Sequence, residues 1–388
     1  MYARTSSLFL AVLLLAGHSP TPLEAGEGLT LVASGGRRAI DARVGEAVAV
    51  ELRWNGHALP SGARARWLEI VPRPEHVELA PPSPPYRTYT NARLGGPDHG
   101  RWIGQDVIEG DVVPLTIGTS ETTLTADAAS RPTGRRAARE ASVGSRVGDP
   151  SGLHAPRGSG WRQPLEEADQ TRWRWTPSAS ELGTRWLAAE VTLPDGRVVK
   201  SPAEIGRGGV TTRALRVSVR ADDSFLGWLG SYFRVPYVFG STPAQSESYR
   251  GIDCADVMVA AQRRVSGRAL AYTSVQGLER HAVAVSEPFE VDRDGTLHDG
   301  ARSPKVLRFG VDVRPGDLVA IDYADDPDGQ LPRPWDHVGA VLEDRGPEGR
   351  ADGVLGAEDL VRHMGLRGLV DEPLARHGHV RLRIWRWR

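Results

Sequence analysis

The chain has 388 residues, 48 Lys and Arg against 49 Asp and Glu, and one cysteine, Cys254. Charges of the two signs nearly cancel, so no whole-chain field argues for binding nucleic acid or an acidic membrane surface. With 40% apolar residues a real core can form, and the length implies two or three domains.

The first predicted element is a leader. Arg4 precedes an unbroken apolar run from Leu8 to Ala16, followed by polar, proline-rich sequence and the small pair Ala25-Gly26. This is the form of a signal peptide over residues 1–25, with cleavage after Ala25 or, alternatively, at Gly17. The run is well short of the roughly 18 residues that cross a bilayer, and no later segment reaches that length. An exported chain, periplasmic or secreted and without a transmembrane span, is therefore expected, and the lack of a cysteine at the end of the leader argues against a lipid anchor. In such a compartment Cys254 has no internal disulfide partner; it is either buried and inert or retained for its chemistry.

Residues 26–127 run in short β-type pieces, such as Ala47 to Trp54, separated by Gly, Pro and Asn clusters, as in a β-sandwich. Residues 128–163 are rich in Arg, Gly, Ser and Pro with almost no large apolar side chains, the composition of a linker or long exposed loop. The β pattern returns over 164–221, with Arg172 to Trp175, Thr184 to Leu193, a Pro194-Asp195-Gly196 turn and Ala214 to Val219. These strands resemble half of an immunoglobulin-like domain. They either complete the first sandwich or form a second small one; no ligand signature marks them, and their protein partner is unspecified.

Residues 222–388 carry the chemistry. Gly251-Ile252-Asp253-Cys254 opens a helix with Asp253 as N-cap and Gly267 as its stop. Cys254 falls in the first turn, where free N–H groups and the helix dipole favour a thiolate. Downstream, Arg314-Pro315-Gly316-Asp317 turns into a strand. Asp336-His337-Val338-Gly339-Ala340 then opens a second strand, with His337 and Gly339 on one face and Val338 and Ala340 on the other. In papain-type geometry a cysteine on a helix start and a histidine on the adjoining sheet make a nucleophile and its general base; taken singly, His337 reads as a structural histidine and Cys254 as either reactive or a small buried residue.

Phe225 to Gly230, Val235-Pro236-Tyr237-Val238-Phe239-Gly240, Gly251-Ile252-Asp253-Cys254, Pro315-Gly316-Asp317-Leu318-Val319 and Asp336-His337-Val338-Gly339 together resemble, in order and approximate spacing, the NlpC-type cell-wall cysteine peptidases. The resemblance covers about 222–388 and says nothing of the β segments. It implies an α+β papain-like C-terminal domain, here preceded by the immunoglobulin-like sandwich module or modules, and hydrolysis of amide bonds in peptidoglycan stem peptides without a cofactor. Cys254 and His337 carry over as nucleophile and base. The third residue, a polar side chain on the strand after that of the histidine, is best matched by His363, with His377 and His379 as rivals that are otherwise surface histidines. Tyr237 and Asp253 match positions that help recognise the free amino end of the substrate; Tyr237 is alternatively a core aromatic. The chain departs from the family at Ala255-Asp256. Asp256 would raise the thiol pKa if it pointed inward; read as facing solvent or a substrate amine, it joins the substrate-binding set and puts the usual substrate class in question.

A metal site is not expected: His377 and His379 form a His-x-His pair, but no second cluster supports it. Two other functions remain open, a non-catalytic module that binds cell-wall peptide, and a papain-fold amidase or acyltransferase acting on a non-wall amide.

Overall fold

Trp186-Leu187-Ala188-Ala189 is an apolar run without the alternation of a half-exposed strand, and a strand of that kind has to be covered on both faces. The computed structural model, which describes residues 28–33, 35–73, 89–90, 108–115, 171–206, 208–292, 295–323 and 335–388, shows what covers it. The strand is Gly183–Thr192, buried along nearly its whole length. Leu187, Ala189 and Val191 face one core with Leu31, Val50, Leu52 and Val217, while Trp186 and Ala188 face another that belongs to the C-terminal half. The leader at 1–25 and the Arg-rich stretch at 128–163 lie outside the described residues.

Among the described residues strand outweighs helix, with three α-helices. Its N-terminal half is one pair of sheets. In the first, Val48–Trp54 pairs antiparallel with Leu29–Ala33 and with Arg172–Trp175. The second runs in the order Ala39–Arg43, Leu215–Arg220, Gly183–Thr192, Arg64–Pro72, Gly110–Pro114. Its first pairing is parallel, the others antiparallel. Strands from 28–115 and from 171–220 are thus interleaved in both sheets, and the two segments that the composition sets apart at 26–127 and 164–221 enclose a single core. Trp67, Trp173 and Trp175 cross that core, with the Trp173 and Trp175 rings stacked at 5.5 Å.

The C-terminal half begins with α1 (Phe225–Gly230), α2 (Pro243–Glu247) and α3 (Cys254–Ser266). One antiparallel sheet follows, in the order Leu297–His298, Phe289–Val291, Val380–Trp387, Leu318–Tyr323, His337–Glu343, Leu360–Gly365, Gly368–Pro373. Alternation along these strands divides the apolar side chains between two layers. Leu318, Ala320, Val338, Ala340, Met364 and Trp385 pack under α3; Val319, Ile321, Val341, Val361, Leu382 and Ile384 form a separate core on the opposite face. No helix of the described residues is long and apolar enough to cross a membrane.

Candidate active site

The start of α3 is set locally. The Asp253 carboxylate accepts from the Ala255 and Asp256 N–H groups at 3.1 and 2.9 Å, an N-cap, and Gly267 closes the helix at φ 65° with Arg263 and Arg264 in the last turn. The first two turns, Cys254 to Ala261, are buried all round, which suits the small side chains there. Upstream, the Val238 N–H donates to the Ile252 carbonyl at 3.0 Å and the Ile252 N–H to the Pro236 carbonyl at 3.2 Å, so the two segments run side by side. A Cβ on Gly251 would meet Val238 Cγ2 at 2.5 Å, and glycine is what permits that approach. In this way Tyr237, itself buried, is brought beside Cys254 and Asp253; burial, followed by these acidic neighbours, holds its phenol well above the ordinary range.

His337 is the first residue of its strand. The backbone N–H of the next residue, Val338, faces the Cys254 sulfur, which places the thiol at the mouth of the histidine strand. On the neighbouring strand His363 stands in register with Gly339, and a Cβ on that glycine would come within 3.1 Å of His363 Cβ and 2.5 Å of Val361 Cγ1. The close approach lets His337 Nε2 meet His363 Nδ1 at 2.9 Å, with the rings nearly perpendicular. His363 Nε2 in turn lies 3.3 Å from Glu372 Oε2 on Gly368–Pro373. His377 joins them, its ring centroid 4.8 Å from that of His363 and its Nδ1 3.1 Å from the Tyr323 hydroxyl.

No family model, curated protein or solved structure matches this chain.

The electrostatics correct one expectation and redirect another. A helix N-terminus favours a thiolate, but burial, followed by the adjacent Asp253 carboxyl, pushes the Cys254 thiol well above the ordinary thiol range. Helix position is the smaller effect here, because the sulfur is almost out of water and has carboxyls rather than cations for neighbours. Asp256, expected to face solvent or a substrate amine, instead points inward. It is buried and accepts from the Ser241 hydroxyl at 2.7 Å and the Ser246 hydroxyl at 3.4 Å. Burial and then Asp253 raise its carboxyl to about 8, and burial raises that of Asp253 to about 6. The two sit three residues apart on one helical turn, where like charges oppose each other's ionisation.

Burial, reinforced by His363 and His377, holds the His337 imidazole well below its ordinary value. Burial and then His363 bring His377 down to about 4. Burial thus disfavours the charged form of both the thiol and the imidazole. Of the residues singled out from sequence, Cys254, Tyr237, Asp253 and Asp256 gather at the start of α3, with His337 and His363 at the adjoining strand ends. His379 stands apart, exposed and 4.0 Å from Glu290. His377 is not a surface histidine but part of the cluster. Glu372 and Tyr323 went unrecognised in the sequence, although Gly365-Leu366-Arg367-Gly368 is a two-residue hairpin turn whose register places Glu372 on the same face as His363. Among the described residues no group of His, Cys, Asp and Glu is arranged to hold a metal ion.

Proposed function

We propose that the chain is an exported cysteine hydrolase of papain-like α+β fold, related to the NlpC-type peptidases, that cleaves an amide bond in peptidoglycan stem peptides. The observation that carries this reading is Cys254 on the first turn of a buried helix, beside the strand opened by His337, with His363 hydrogen-bonded behind that histidine. His337 removes the thiol proton as Cys254 attacks the amide carbonyl. The Cys254 N–H, in the first turn of α3 where the helix itself supplies no acceptor, is the group that holds the developing oxyanion. The protonated imidazole delivers its proton to the leaving amine, and a water activated by the same ring hydrolyses the acyl thioester. Burial disfavours both the thiolate and the imidazolium, so the proton passes from thiol to His337 as the substrate is attacked, and no cofactor is needed.

A second reading, a module that binds cell-wall peptide without cutting it, is favoured by the burial and raised pKa of the thiol. One experiment separates the two: incubation of the full chain with purified muropeptides, with mass spectrometry reading the gain of one water and a new free amine. Hydrolysis that Cys254→Ala and His337→Ala each abolish is the expected result. Muropeptide binding without hydrolysis, equal in wild type and Cys254→Ala, would leave the binding module in its place.

A further inference from the structure

A carboxylate at the far end of a histidine pair can determine where every proton in the pair resides. Glu372 Oε2 lies 3.3 Å from His363 Nε2, and His363 Nδ1 lies 2.9 Å from His337 Nε2. Among the described residues the remaining ring nitrogen, His337 Nδ1, makes no hydrogen bond. We propose that Glu372 is a positioning residue for the site: through His363, it fixes His337 as the tautomer whose Nδ1 carries a lone pair, the form that a base for the thiol needs. This rests on the cysteine-hydrolase reading above.

Counting donors and acceptors gives the direction. An ionised carboxylate only accepts, so the hydrogen on its contact with His363 has to be on Nε2. A neutral His363 protonated at Nε2 presents a lone pair at Nδ1, and the hydrogen on the next contact is therefore carried by His337 Nε2. That leaves His337 Nδ1 unprotonated, the state a general base needs. When His337 takes the thiol proton, its Nε2–H still donates to His363, and the new positive charge is two hydrogen bonds from a carboxylate. Without the carboxylate, His363 can turn its hydrogen to Nδ1 and donate to His337, which then carries its own hydrogen on Nδ1 and cannot act as base.

The surroundings keep Glu372 ionised. The His363 hydrogen bond holds its carboxyl below the usual range, and the charged or titratable groups facing it are His363, His377, Arg376 and the Tyr323 phenol. Glu372 lies on Gly368–Pro373, the last strand in the sheet order, with 38% of its side chain exposed, so replacing it leaves the apolar layers untouched. The hairpin sets the geometry, since Val361 pairs with Glu372 and His363 with Val370, which puts His363 and Glu372 diagonally on one face.

The test uses the full chain labelled with 15N-histidine, as wild type, Glu372→Gln and Glu372→Ala, with unchanged thermal melting as the folding control. Ring-nitrogen shifts at neutral pH should report His337 and His363 as Nε2–H tautomers in wild type and as mixtures in both variants. Muropeptide hydrolysis should fall by about tenfold or more in Glu372→Ala, as expected when the base spends most of its time in the wrong tautomer. Unchanged tautomers in the variants, or a wild-type His363 protonated at Nδ1, would overturn the role of Glu372 even in an active enzyme. Correct tautomers in a wild type that hydrolyses nothing would count against the hydrolase reading alone.

Discussion

Around Cys254, individual side chains act against the helix dipole. Asp253 caps α3 and by the same position sets a carboxyl next to the thiol, while Asp256 adds a second one turn in. Asp256 also writes a pH dependence into stability. Its carboxyl is raised to about 8 in the folded chain against about 3.9 when unfolded. Between those values the folded state holds a proton that the unfolded state has released, so stability is lost as pH rises through the window. His377, lowered to about 4, and His337 act on the acid side: the unfolded chain takes up their protons first as pH falls below about 6.5. Above about 6.5 the histidine effect is complete and Asp256 dominates. Thermal melts should therefore show a falling Tm from there to about pH 8 in wild type, and a much flatter dependence in Asp256→Asn. An identical fall in the variant would mean that Asp256 ionises freely.

At the scale of elements, the histidine pair depends on how closely two strands approach. His337–Glu343 and Leu360–Gly365 can hold His337 Nε2 at 2.9 Å from His363 Nδ1 only because residue 339 lacks a side chain. Gly339→Ala would place a methyl group against Val361 and His363, neither of which can retreat from its packed layer. A destabilisation of about 1–3 kcal/mol is expected, measured by denaturant unfolding, together with loss of the His337–His363 contact. An alanine variant of wild-type stability would show that the strands separate without strain.

Across the whole molecule, the two halves share one core. Trp186, Ala188, Val210 and Ala214 from the N-terminal half pack with Tyr232, Tyr249, Ile252 and Val257 from the C-terminal half. Two ion-pair triads span the same boundary. Asp41 lies between Arg216 and Arg264 at 2.8 and 3.0 Å, and Glu69 between Arg185 and Arg234 at 3.1 and 3.0 Å. The Thr184 N–H also donates to the Phe233 carbonyl at 2.9 Å. A fragment of residues 222–388 would expose that apolar surface, and losing Trp186 and Val210 alone costs on the order of 5 kcal/mol. The full chain should unfold in one calorimetric transition and the fragment should melt well below it or aggregate; equal melting temperatures would show the halves to be independent.

What was legible in the sequence follows how local each determinant is. The limits of α3 could be read directly, because Asp253 and Gly267 act on neighbouring backbone groups. So could the strands at Arg172–Trp175, Val380–Trp387 and around His337, whose alternation records a covered face. His363 lies on the strand that follows and pairs with that of His337, opposite Gly339. Four features depended on contacts between residues distant in sequence: the interleaving of 28–115 with 171–220, the inward turn of Asp256, the place of His377 beside Tyr323, and the high pKa of Cys254. Desolvation is a property of everything packed around a group, and strand pairing across a long gap depends on burial summed over both partners. The sequence by itself determined which residues could carry the chemistry; tertiary structure decided their protonation states and partners, because both are set by neighbours that chain order does not bring together.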